Sequence, residues 1–196
     1  MLNNKKPISN CVSLFRFALN VIEKMKKLLL LLMMGVFGLS CSQKIPTVLK
    51  TKFSKEALNQ KLENEEGKTV TIQQILDQHK GKVLVIDFWA GWCRDCLNAL
   101  PKAKELEEKN KNNIDFVFLS LDRSKEGFNK SLERFEMKDK ENYWFSSGWK
   151  NDFNNYVDLN WIPRYMVIDQ KSAIAKYYAI SPEDPEIQST IDKLLK

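Results

Sequence analysis

Two runs constrain this chain's fold more than any other feature: "KVLVIDFWA" at 82–90 and "IDFVFLSLD" at 114–122. Both are rich in β-branched and aromatic residues, and neither alternates apolar with polar. Such a run marks a strand buried on both faces, which requires helices on either side of the sheet. The intervening "CLNALPKAKELEEKN" places Leu97, Leu100, Ala103 and Leu106 on one side of a helix, and Pro101 inside it predicts a kink. Strand, helix, strand at this spacing is a parallel crossover unit. Downstream, "SKEGFNKSLERFEMK" is an amphipathic helix, "NYWFSS" a short strand or turn, and "NDFNNYVD" a short helix. "RYMVID" and "AIAKYYAI" are two further strands joined at 170–172. "EDPEIQSTIDKLLK" closes as a helix, with Asp184 as its cap and Pro185 in its first position. Upstream, "ALNQKLENEEGKTVTI" has the pattern of a β-hairpin turning near Glu66-Gly67, and "TIQQILDQHKG" that of a Thr-capped helix ended by Gly81. The expected architecture over 56–196 is a three-layer α/β/α sandwich with a mixed central sheet and an N-terminal β-hairpin.

The net charge of +6 suggests a nucleic-acid binder until it is located. Residues 1–40 carry six basic side chains against the single acid Glu23, so residues 41–196 are nearly neutral and no nucleic-acid partner is expected. The basic excess belongs to "MKKLLLLLMMGVFGLSCSQK", where Lys26 and Lys27 precede an apolar run from Leu28 to Leu39. That is the layout of a secretory signal peptide, and the run is shorter than the roughly 20 residues a spanning helix needs. With Cys41 directly after it, the segment resembles a bacterial lipoprotein signal, although Gly38 stands where Leu is usual. A plain signal peptide with Cys41 incidental is the alternative. The expected organisation is an upstream extension at 1–24 with a translation start at Met25, a lipoprotein-type signal at 25–40, a tether at 41–55 and the domain at 56–196.

Cys93 and Cys96 lie where the first buried strand meets the following helix. A C-x-x-C pair there is a redox motif. The first helical turn has unpaired N–H groups and a positive dipole end, which favour a Cys93 thiolate. Cys96, one turn along, faces inward and can resolve a mixed disulfide. No metal is expected, because a zinc site needs four ligands and the body offers this pair, the remote Cys41 and one histidine. A covalent haem site would need His after the second cysteine, where Leu97 stands; no cofactor is expected. A purely structural role fits poorly, since so short a loop stabilises little.

At these residues the chain resembles the thioredoxin superfamily, and within it the secreted TlpA/ResA-like thiol–disulfide oxidoreductases, over about 56–196. "DFWAGWCRDC" is similar to the family's active-site stretch, with Trp89 and Trp92 at its tryptophan positions and Pro101 where its helix kinks. "WIPRYMVID" is similar to the segment holding its cis-proline, which implies a cis Ile162–Pro163 bond beside the sulfurs. It also implies that Trp92 and the Ile162 backbone receive substrate as an added strand. Asp87 falls where thioredoxins carry an acid that takes the proton of the resolving cysteine, and burial would raise its pKa toward that task. An acid at a strand end reaching solvent is the bland alternative. Three departures stand out. Arg94-Asp95 replaces a small or variable residue and Pro, with opposing effects on Cys93; "IDFVFLSLD" lacks the Lys that thioredoxins set facing the buried acid; and Ala99 stands where ResA-type members serving cytochrome c maturation carry Glu. The last argues against that pathway.

The resemblance implies an exported enzyme, on the periplasmic or outer surface of a bacterial membrane. It would be anchored through lipid on Cys41, reducing disulfides of exported proteins with electrons from a membrane donor. A peroxiredoxin-type peroxidase would need a Thr-containing motif before a lone cysteine, and "GWCRDC" has none. A non-catalytic binding module of the same fold would commonly have lost a cysteine or the proline. His79 is expected at a helix end or on the surface, and Tyr143, Trp144, Phe145, Trp149 and Trp161 in packing, with Trp161 also a candidate for the docking surface.

Overall fold

In the computed structural model, strand β3 (Val83–Trp89) is buried at every residue and occupies the middle of a seven-stranded sheet. The described residues are 22–26, a short helical stretch, and 45–196. Cys41 and the apolar run before it lie outside them. Among the described residues no helix is long and apolar enough to cross a membrane.

The elements of the domain are α1 (Lys55–Leu58), β1 (Lys61–Glu63), β2 (Thr69–Thr71), α2 (Ile72–Gln78), β3, α3 (Arg94–Asn110), β4 (Ile114–Ser120), α4 (Lys125–Arg134), β5 (Asn142–Trp144), α5 (Asp152–Tyr156), β6 (Arg164–Ile168), β7 (Ile174–Ala179) and α6 (Pro185–Leu194). The sheet order is β2-β1-β5-β4-β3-β6-β7. β3, β4 and β5 run parallel; β6 lies antiparallel to β3, and β7 to β6. β3 and β6 are buried throughout, so both faces of the central sheet are covered, giving three layers. β7, at the edge, mixes buried and accessible residues, with a register shift against β6.

Local chemistry starts and stops these elements. Thr71 and Gln74 form a reciprocal capping box on α2, and Asp184 accepts the Glu186 N–H at the start of α6, with Pro185 following. Gly81 adopts φ +90°, a left-handed conformation that lets the chain leave α2 and enter β3 within a few residues.

Three expectations change. The stretch from Ala57 to Leu58 is helical, not the first part of a hairpin strand, because Ser54 caps it by accepting the Ala57 N–H; β1 and β2 pair only over Lys61–Glu63 and Thr69–Thr71. The tether expected at 41–55 joins the domain before its end: Phe53 stacks on Phe153, the Ile174 N–H donates to the Thr51 carbonyl, and Lys50 reaches Asp158. His79 does stand at a helix end, as the C-cap of α2, but it is buried rather than exposed. Its Nδ1 lies 2.7 Å from Asp115 Oδ2 and its Nε2 3.2 Å from Glu141 Oε1. Burial opposes its protonation, but those two carboxylates outweigh it and raise its pKa.

Candidate active site

β3 ends at Trp89, and the chain turns through Ala90-Gly91-Trp92 into α3 with Cys93 as the N-cap. The turn needs Gly91. A Cβ there would lie 1.9 Å from Ser131 Oγ, a distance no real side chain tolerates. The Gly91 N–H donates to the Asp122 carboxylate at 3.1 Å, and Ser120 Oγ donates to the same group at 2.9 Å. Asp122 therefore ties the turn to the end of β4. Burial raises its pKa, and these donors draw it partly back. Trp92 Nε1 donates to the Leu121 carbonyl, and Trp144 Nε1 to that of Asp122, so both indoles lean on the same loop.

Cys93 and Cys96 are joined as a disulfide with Cα atoms 5.3 Å apart, and both are buried. Cys93 Sγ accepts the Cys96 N–H at 3.1 Å, the contact an N-capping group makes. The sulfur thus already sits where helix N–H groups would stabilise a thiolate. Across the gap, the Ile162–Pro163 peptide is cis, and the Ile162 carbonyl oxygen is 3.7 Å from Cys93 Sγ.

Asp87 is 2% exposed in the middle of β3. Burial pushes its carboxyl up to about 8, while the Tyr165 hydroxyl pulls in the other direction. Tyr165 lies directly opposite Asp87 in the β3–β6 register, so the two side chains leave the sheet on one face. Asp87 Oδ1 is buried without a hydrogen-bond partner. The position facing the acid, vacant of Lys on β4, is filled from β6 by a tyrosine.

A groove of about 340 Å³ opens beside Cys93, lined by Trp92, Arg94, Asp95, Trp149, Asn160, Trp161 and Ile162. Trp92 and Trp161 are 45% and 37% exposed, and Arg123 stacks over the Trp92 ring. Tyr143 and Trp144 pack in the core, whereas Trp149 and Trp161 face the groove. The structure thus brings Cys93, Cys96, Trp92, Ile162 and Pro163 together, with Asp87 buried on the strand leading to them. Sequence reasoning missed Asp122, Tyr165 and Asn160, and it placed Trp149 in packing, where it does sit against the core while also lining the groove. Only "SLD" after a buried strand hinted at Asp122, and nothing local marks Tyr165 or Asn160.

The fold and this site define a thioredoxin-like α/β domain carrying a C-x-x-C disulfide at a helix N-terminus. Residues 81–174 match the family described as thioredoxin-like. A putative thiol-disulfide oxidoreductase from Bacteroides vulgatus, solved in solution, is 30% identical with a TM-score of 0.60, over 73% of this chain and 90% of that one. Thiol-disulfide oxidoreductase ResA of Bacillus cereus is 26% identical over 57% of this chain and 63% of its own length. The thioredoxin-like protein HCF164 of Arabidopsis thaliana chloroplasts is 27% identical over 48% of this chain. The chain spans 35% of the length of that plant protein. The chain belongs to the thioredoxin-like family.

Proposed function

We propose that the protein is a thiol–disulfide oxidoreductase that reduces disulfides of exported proteins, held at a bacterial membrane by lipid on Cys41. The observation that carries this reading is the Cys93–Cys96 pair capping α3 beside the cis Ile162–Pro163 peptide. In the reduced state the Cys93 thiolate attacks one sulfur of a substrate disulfide. A mixed disulfide forms, and the other substrate sulfur leaves as a thiolate. Cys96 then gives its proton to Asp87 and attacks Cys93 Sγ. The Cys93–Cys96 disulfide forms, the second substrate thiolate leaves, and two electrons have passed to the substrate. A dithiol donor at the membrane returns the pair to the reduced state. Asp87 suits the proton step because burial holds its pKa near that of a group that gains and loses protons around neutrality, and its Oδ1 is unoccupied. Trp92 and the Ile162 backbone line the groove that would receive the substrate strand.

Insulin reduction by the full chain with dithiothreitol tests this. Wild type should catalyse it and Cys93→Ala should not. Cys96→Ser should accumulate as a mixed disulfide with its substrate. Absence of catalysis by the wild type, with the Cys93–Cys96 bond reducible, would favour a binding module. Mass spectrometry of the membrane fraction tests the anchor: the mature chain should begin at lipidated Cys41, and an intact Leu28–Leu39 segment would exclude it.

A further inference from the structure

Behind the groove, away from the sulfurs, the segment preceding α1 is clasped to the loop between α5 and β6. Lys50 Nζ lies 2.7 Å from Asp158 Oδ2 and also donates to the Tyr156 carbonyl and, at 3.3 Å, to the Tyr177 hydroxyl. The ammonium stands over the rings of Tyr156 and Tyr177. The Tyr177 hydroxyl donates to the same Asp158 oxygen at 2.7 Å, and the Tyr156 hydroxyl donates to the Lys52 carbonyl at 2.7 Å. From the other side Arg164, fully buried and next to Pro163, donates to the Tyr177 carbonyl at 2.6 Å and the Val157 carbonyl at 3.4 Å. Its guanidinium lies 4.3 Å from the Tyr178 ring centroid.

This cluster holds a specific piece of chain. Asp158 has φ +53°, a left-handed conformation costly for a residue with a side chain. That turn sends the chain out of α5 into Leu159, Asn160, Trp161 and Ile162, the last three of which wall the groove beside Cys93. Asn160 and Asp158 also border a second depression, lined on its far side by Ile45, Pro46, Thr47 and Val48. The incoming segment and the groove thus share one wall, and that wall is pinned at Asp158.

We infer that Lys50 is a positioning residue of the substrate groove, so that docking of the segment before α1 sets the affinity for protein disulfides without touching the sulfurs. The inference rests on the oxidoreductase reading for its assay and on the clasp alone for its geometry. Lys50 holds the Asp158 turn from outside and Arg164 holds the end of α5 from inside. Loss of the Lys50 contact loosens the Asp158 turn that leads into this wall, and a substrate strand must then order the wall as it binds. A small disulfide that needs only the Cys93 sulfur is indifferent to the wall. A cluster that merely stabilised the fold would not separate the two substrates.

The test uses the full chain with Lys50→Met, Lys50→Arg and Asp158→Asn. Reduction of insulin and of hydroxyethyl disulfide is followed with dithiothreitol as electron source, and hydrogen exchange is followed at residues 158–162. Lys50→Met and Asp158→Asn should raise KM for insulin about three- to tenfold, with kcat within about twofold of wild type. Hydroxyethyl disulfide reduction should not change. Lys50→Arg should return the insulin KM to within about twofold, since it keeps the charge and the reach. Exchange at 158–162 should quicken in Lys50→Met and Asp158→Asn but not in Lys50→Arg. An unchanged insulin KM, or an equal loss with both substrates, overturns the inference. Should the wild type reduce neither substrate, the oxidoreductase reading fails by itself, and unchanged exchange at 158–162 in Lys50→Met would still overturn the clasp.

Discussion

Replacing Asp87 with asparagine separates what the buried carboxyl costs from what it does. Burial holds this acid at about 8 in the folded chain, against an ordinary value of 3.8. Between those values the unfolded chain has released a proton that the folded chain keeps. Folded stability therefore falls as pH rises through the window, most steeply by about 1.4 kcal/mol per pH unit for one group. Three units, from about pH 4 to 7, set a ceiling of about 4 kcal/mol. Relaxation around the charge lowers the expected figure to about 2 kcal/mol. Asparagine does not titrate. The stability of Asp87→Asn relative to wild type should therefore rise by about 2–4 kcal/mol between about pH 4.5 and 8, then level off. Urea unfolding of the two oxidised proteins, followed by tryptophan fluorescence, measures the difference at each pH. In stopped-flow reduction the same variant should keep the first attack and slow resolution of the mixed disulfide, with the loss largest near and below neutral pH. A stability difference that does not vary with pH would refute the raised acid, and an unchanged resolution rate would remove Asp87 from the mechanism.

Tyr165→Phe deletes the hydroxyl that opposes the rise of Asp87. The Asp87 pKa, read by carbon NMR, should climb by about half a unit to one unit, the worth of one hydrogen bond, and the pH profile of resolution should move with it. His79 has its pKa raised by Asp115 and Glu141, so its stabilisation is full below its unfolded value and is lost as pH rises through its folded one. His79→Gln should therefore cost about 1–2 kcal/mol near pH 6 and less near pH 9; an equal cost at both would mean the ring is never charged. Gly91→Ala places a methyl against Ser131 and should destabilise by about 1–3 kcal/mol in thermal unfolding. Adding Ser131→Gly should return part of that loss, and strict additivity would show that the contact is not the cause.

The sequence alone determined most of the elements and the reactive pair. The largely apolar, β-branched runs at 82–90 and 114–122 marked central strands, and Cys93 fell at the mouth of a helix because it lies between the end of the first run and the Leu97–Leu106 stripe. Those signals are local, carried by periodicity, caps and turn residues over a dozen positions. Partners were another matter. Asp87 could be marked as a buried acid, but that a tyrosine on β6 answers it follows from antiparallel register, which no stretch of β3 encodes. His79 finds its carboxylates 36 and 62 residues away, Gly91 its acceptor 31 away, and Lys50 its aspartate 108 away. Apolar patterning states that a residue is inside without stating what stands beside it. Neighbours are chosen only when the sheet order is set and the helices cover it, and in this protein that assembly decided which groups face the sulfurs and which hold the groove.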